Sequence, residues 1–361
     1  MIVSVYSAYD KKTLYTPAND NSPSMVGYAV QHIPSRCRLM VQEVLENMPN
    51  ETGYMSMMLE PRVAVISAID NSHFESFGSV EGILNEICSI VKGLQPQGCV
   101  IIDKDDFSRV AELLKGKRVI TVSDSDMTAD YYAENIQVSQ DGLLFDVIDK
   151  ETQVRQEVKL VNIYARHNIS AALRAFAAGR CEGVPYDKII EGLANYRTAG
   201  VRQNVVWTNN ICIYADCYNP IATSVRSAVE TACPINVSGR RLAVLGDIEE
   251  CGDASDSQYD ECMSIINQSG FDVLMVIGEK MNAALSRSQM REDLVVIPCK
   301  DKTEVESYLR DNVASGDLVL LKSSHSGNLV TVIQHLWPSA YKEMNAYNKA
   351  YRQWKFSSAL A

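Results

Sequence analysis

Short, continuous runs of valine, isoleucine and leucine recur along the chain, separated by stretches with helical spacing. The runs lie at Arg38–Leu45, Arg62–Ile69, Cys99–Ile102, Arg118–Val122, Ile211–Ala215, Leu242–Leu245, Val273–Ile277, Leu294–Ile297 and Leu318–Leu321. Unbroken apolar runs of this length predict strands covered on both faces rather than strands with one wet face. Between them, residues 223–233 place Val225, Ala228 and Val229 on one helical face, with Cys233 one turn on. Strand and helix alternating in this way predict parallel α/β layers. One stretch departs from the pattern. Residues 134–161 alternate polar and apolar side chains around Gln140-Asp141-Gly142 and Asp149-Lys150-Glu151, which predicts a small antiparallel meander inserted at a sheet edge. A second break falls at 195–204, after a helical pattern over Pro185–Tyr196. It predicts two α/β domains, 1–198 and 199–361.

Composition narrows the function classes. The 361 residues suit two domains. The formal charge of −11 argues against non-specific nucleic-acid binding. No run is long enough to cross a bilayer, and the first residues lack a signal-peptide layout. Ten cysteines without a C-x-x-C pair read as free thiols of a cytoplasmic protein rather than a zinc site.

In open parallel sheets ligands bind beyond the carboxyl ends of the strands, so the residues after each run are the candidates. Glu46 follows the first run, and Asp70 and His73 follow the second. Asp216, Tyr218 and Asn219 follow Ile211–Ala215. Gly246, Asp247 and Glu250 follow Leu242–Leu245, and Lys322, Ser323, Ser324 and His325 follow Leu318–Leu321. Polar groups gathered at the same end of two sheets predict a cleft between two domains. Taken singly, aspartate, serine and asparagine at strand ends commonly cap the next helix. Carboxylate plus imidazole, as in Glu46 with His73, suits a hard cation such as Mg²⁺ or Mn²⁺. Neither G-x-G-x-x-G nor G-x-x-x-x-G-K-[ST] occurs in these residues.

Several blocks then occur in a telling order: "TPANDNSPSMVG" (16–27), "VLENMPNETG" (44–53), "VAVISAIDNSHFESFGSVEGI" (63–83), "ARHNISAALRAFAAG" (165–179), "GLANYRTAGVRQ" (192–203), "IYADCYNPIATSVRSAVE" (213–230), "LAVLGDIEECGDAS" (242–255) and "GDLVLLKSS" (316–324). Together they resemble the Mur ligase family, and within it the MurF-type enzymes that join an amino acid or dipeptide to a carboxylate using ATP. The resemblance implies a central ATPase-like parallel-sheet domain, truncated at its start, followed by a Rossmann-like C-terminal domain. It implies ATP and Mg²⁺ as cofactors, small-molecule carboxylate and amine substrates, and a place in peptidoglycan biosynthesis. It further implies that Glu46 and His73 are magnesium ligands, His73 and Lys322 are catalytic, and Asn168, Arg202, Asp216, Tyr218 and Asn219 bind the nucleotide.

Departures accompany the likeness. The family's N-terminal domain and phosphate loop would precede residue 1. Its active-site lysine, nine residues after the glycine of "F-G-S", falls on Ile87. The second asparagine of "H-N-x-x-N" is Ala171, Ile221 stands in the "Y-N-A-N-P" loop, "K-G-S-R" reads "KSSH", and a family histidine is Tyr259. Two functional readings therefore stand side by side. One is an ATP-dependent ligase acting through an acyl phosphate; the other is a catalytically degenerate homologue that binds a ligand or partner without ATP turnover. A sheet left open at its start predicts a homodimer or partner protein covering it.

Overall fold

A computed structural model describes residues 1–16, 21–69, 74–139, 141–198, 200–218, 221–248, 255–324 and 327–353. His73 and Asn219, along with Asp70, Glu250 and His325, lie outside these residues. The fold is mixed α/β with largely parallel sheets, as the sequence predicts.

The strands in chain order are β1 (Leu14–Tyr15), β2 (Met40–Val41), β3 (Val63–Val65), β4 (Cys99–Asp103), β5 (Arg118–Ser123), β6 (Tyr131–Ser139), β7 (Gly142–Asp149) and β8 (Val154–Val161). There follow β9 (Asn204–Thr208), β10 (Ile211–Asp216), β11 (Arg241–Leu245), β12 (Val273–Ile277), β13 (Val295–Cys299) and β14 (Leu318–Lys322). β1 and β2 form a two-stranded parallel sheet. β3 to β8 form a six-stranded sheet in chain order, and β13-β12-β11-β14-β10-β9 form another.

In the first large sheet β3 to β6 run parallel and β6 to β8 run antiparallel, so the meander continues the sheet at its edge. Alternate residues of β4 serve opposite faces. Cys99 and Ile101 join a core with helices Ile2–Tyr9, His167–Cys181 and Tyr186–Ala194. Val100 and Ile102 join a smaller core with helices Val80–Cys88 and Lys104–Val110. The second sheet is built the same way. Leu318 and Leu320 of β14 face one core, and Val319 and Leu321 face the other. Burial on both faces is why these strands read as unbroken apolar runs.

Helix His167–Cys181 is alanine-rich and buried along most of its length. Small side chains let it pack between the sheet and its neighbours. At Gly192 on the next helix, a Cβ would meet Val5 Cα at 2.4 Å, so glycine is required where helices 2–9 and 186–194 touch.

Three expectations shift. The run at 38–45 narrows to Met40–Val41, because its partner β1 is itself only two residues long. The run at 62–69 narrows to Val63–Val65, which pairs only with β4. β9 is a strand that the apolar pattern did not single out. It pairs antiparallel with β10 through a two-residue turn at Asn209-Asn210, both at positive φ (49° and 62°). Asparagine tolerates the left-handed region that such a tight hairpin demands. Between β2 and β3, whose facing edges carry no partner strand among the described residues, lies a cavity of about 520 Å³. Its lining includes Ile2, Tyr6, Val41, Ser56, Val63 and Val65.

Candidate functional site

The carboxyl ends of β10 and β14 carry the polar centre of the second sheet. Asp216 and Lys322 are register partners in the parallel ladder. Side chains alternate along each strand, so Cys212, Tyr214 and Asp216 fall on one face, as do Leu318, Leu320 and Lys322. Cys212, Tyr214, Leu318 and Leu320 all enter the same core. The two ionic side chains thus emerge beside each other at its upper rim. Lys322 Nζ lies 2.8 Å from Asp216 Oδ2, with side chains 2 % and 8 % exposed. The other carboxylate oxygen, Oδ1, accepts from the Gln203 backbone N–H at 3.2 Å. Lys322 is therefore a buried, paired ammonium in this structure.

Gln203 leads back to Arg202. Its guanidinium sits 3.3 Å from the centre of the Tyr218 ring, on the loop after β10. A cation over an aromatic face is held by the ring quadrupole. Both side chains are exposed, so the pair lies at the surface beside the buried Asp216–Lys322 pair.

The first half of the chain reaches the same place. Helix His167–Cys181 begins at His167, which hydrogen-bonds Gln203 and feels the charge of Asp216. His167 is exposed, yet desolvation by its surroundings takes its imidazole below the usual value of 6.5, while Gln203 and Asp216 oppose that shift. Asn168 Nδ2 donates to the Ala165 carbonyl at 3.2 Å and stands 3.3 Å from His167 Nε2. Just upstream, Tyr164 is buried in the core of the second sheet and accepts from Trp207 Nε1 at 3.2 Å. Asn168, Arg202, Asp216 and Tyr218 are thus gathered where the two halves meet, with Lys322 beneath.

Glu46 is half-buried on the loop between β2 and helix Glu51–Leu59. No group of three or more His, Cys, Asp or Glu side chains suited to a metal ion occurs among the described residues. The buried Glu86 accepts from the N–H groups of Asn50 and Thr52 at 2.6 and 2.8 Å, capping that helix. Ile87 packs against the core formed by Ala64, Ile66 and Val100. Tyr259 is buried and its hydroxyl both accepts from Ile248 N–H and donates to Ile248 C=O, each at 2.9 Å.

Sequence reasoning passed over His167, Gln203 and the Tyr164–Trp207 bond. The strand-end candidates Gly246, Asp247, Ser323 and Ser324 line a cavity of about 450 Å³ at the ends of β11, β12 and β14, together with Lys280 and Lys302, which sequence reasoning passed over. The only sequence signal for His167 is its place beside Asn168.

Two sequence patterns cover most of the chain. The Mur ligase middle domain matches residues 1–179, and the Mur ligase, glutamate ligase domain matches residues 201–325. The chain belongs to the Mur ligase family.

Among Mur ligase relatives, the UDP-N-acetylmuramoyl-tripeptide--D-alanyl-D-alanine ligase of Bacillus subtilis is 26% identical over 325 residues, covering 89% of this chain and 69% of that protein. The enzyme of the same name from Escherichia coli is 26% identical over 329 residues, covering 90% and 71%. A crystal structure of MurF from Acinetobacter baumannii superposes with a TM-score of 0.81 at 23% identity, over 93% of this chain and 73% of that one. MurF from Thermotoga maritima, solved in complex with ADP, gives 0.75 at 18% identity, over 94% and 77%. At these identities the structural likeness speaks to the fold. The matches are to ligases and give no support to a homologue without turnover.

Proposed function

We propose that this chain provides the central and C-terminal parts of a MurF-type ligase that forms an amide bond at the expense of ATP. The observation that carries the reading is the meeting of Asn168, Arg202, Asp216 and Tyr218 at the joint between the two halves. In the proposed reaction a substrate carboxylate attacks the terminal phosphoryl group of ATP, ADP leaves, and an amine displaces phosphate from the acyl phosphate. The relatives' names support a carboxylate on a nucleotide-linked peptide and an amine on an amino acid or dipeptide, and we place the reaction in peptidoglycan biosynthesis.

Catalysis of this type is positioning and electrostatics more than covalent chemistry. Arg202 supplies a guanidinium whose planar fork matches phosphate geometry. Resting on Tyr218, it is held at the surface with no carboxylate partner among the described residues. Asp216 is an acceptor fixed on one side by Lys322 and Gln203, with lone pairs left for a ribose hydroxyl. Lys322 acts in this scheme as the residue that holds Asp216 in place. Asn168 offers its amide from the first turn of helix His167–Cys181. Glu46 by itself does not make a magnesium site, so no step is routed through the metal.

Calorimetric titration of ADP into the chain tests the nucleotide half of this reading. Arg202→Ala is expected to weaken binding about tenfold, the loss of about 1.4 kcal/mol. Binding unchanged in that variant, or no binding to the parent chain, would remove the assignment.

A further inference from the structure

Three contacts fasten the second half of helix His167–Cys181 and its last turn to β3 and β4. Arg174 pairs with Asp103 at the carboxyl end of β4. Glu182, one residue past the helix, accepts from Arg62 Nε at 3.0 Å, just before β3. Between these two ion pairs, Cys181 Sγ lies 3.4 Å from Cys99 Sγ, at the amino end of β4. The two cysteines are 82 positions apart in sequence. Their contact is fixed from both sides: Arg174 sets how the helix lies along the strand, and Arg62–Glu182 closes its end. Cys99 is buried and Cys181 is partly exposed.

The thiols share a hydrogen bond, which pulls Cys99 below the usual thiol value and pushes Cys181 above it. The Arg118 guanidinium, on the β5 residue opposite Cys99, favours the thiolate at either sulfur, and Glu182 opposes it. A disulfide bond of about 2.05 Å asks the sulfurs to close by roughly 1.4 Å. Cys181 is the last residue of its helix, so only that terminus and the following turn need to move.

We propose that Cys99 and Cys181 are a reversible disulfide site that bolts helix His167–Cys181 to β4, with a low-molecular-weight disulfide as oxidant. Cys181, the reachable sulfur, gives up its proton and attacks one sulfur of the small disulfide. That S–S bond breaks, a mixed disulfide forms on Cys181, and the first small thiolate leaves. Cys99 then gives up its proton and attacks Cys181 Sγ. The second small thiolate leaves, and the Cys99–Cys181 bond forms. The protein is oxidised by two electrons, the small disulfide is reduced to two thiols, and the two protein protons end on them. The bland reading is that two small apolar side chains happen to pack together; it predicts no such bond.

The test is incubation of the full chain with glutathione disulfide at mildly alkaline pH, an acid quench, and peptide mapping by mass spectrometry. The expected product is a Cys99–Cys181 cross-linked peptide, two hydrogens lighter than its parts and restored by dithiothreitol. The oxidised chain should also melt at a higher temperature, and Cys181→Ser should show neither change. Cys99→Ser should instead accumulate glutathione on Cys181, because the second attack is lost. If the parent chain retains a stable glutathione adduct on Cys181, leaves both thiols free, or joins Cys181 to another cysteine, the proposal falls.

Discussion

Replacing Lys322 with methionine isolates the energetics of the buried pair. The substitution keeps the length of the side chain and removes the charge. It leaves the Asp216 carboxylate 8 % exposed, with Gln203 N–H as its remaining described partner. Breaking a buried ion pair from one side costs about 3–5 kcal/mol, because the orphaned charge stays desolvated. Most of that cost belongs to the orphaned carboxylate, so Lys322→Met combined with Asp216→Leu should recover much of it. The surface pair Lys115–Glu112, with side chains 79% and 88% exposed, provides the contrast. Its loss should cost under about 1 kcal/mol. Urea unfolding followed by tryptophan fluorescence reads the second half directly, since Trp207 and Trp337 both pack there. A double-mutant cycle then separates the pairwise contribution. If Lys322→Met costs no more than the surface control, or if the double variant costs the sum of the singles, Lys322 is not acting as an electrostatic strut.

Other outcomes follow from the joint between the halves. Tyr164→Phe removes the acceptor for Trp207 Nε1 and should destabilise the second half by about 1 kcal/mol, read from the urea midpoint; an unchanged midpoint would mean the bond contributes nothing. The imidazole of His167 should titrate below 6.5 by NMR in the folded chain. Because the unfolded state takes up that proton first, stability should fall as pH drops through 6.5 and level off below the folded midpoint. His167→Gln should abolish that dependence, and a midpoint above 6.5 would reverse the sign.

The layered architecture was legible because fully covered strands leave unbroken apolar runs, as in β11, β12 and β14. The antiparallel meander was legible because its strands alternate. β9 was not, since "NVVWT" is short and its hairpin depends on two asparagines adopting positive φ. Of the candidate site, strand ends pointed to Asp216, Tyr218 and Lys322, and the family likeness to Asn168 and Arg202. That Lys322 is consumed by Asp216 follows from register, which sequence does not give, even though each strand's alternation places its residue on the correct face. The Tyr164–Trp207 bond spans 43 residues and two sheets, and no local pattern announces it.

The cavity between β2 and β3 has a mechanical consequence. Hydrostatic pressure favours whichever state eliminates internal void volume. The middle strands of the second sheet are packed by continuous apolar cores on both faces, whereas the 520 Å³ cavity lies directly against β3. Under compression β3 should therefore yield before the strands that are covered on both faces. Amide signals of Val63–Val65 should shift and broaden at pressures that leave those of β10 unmoved.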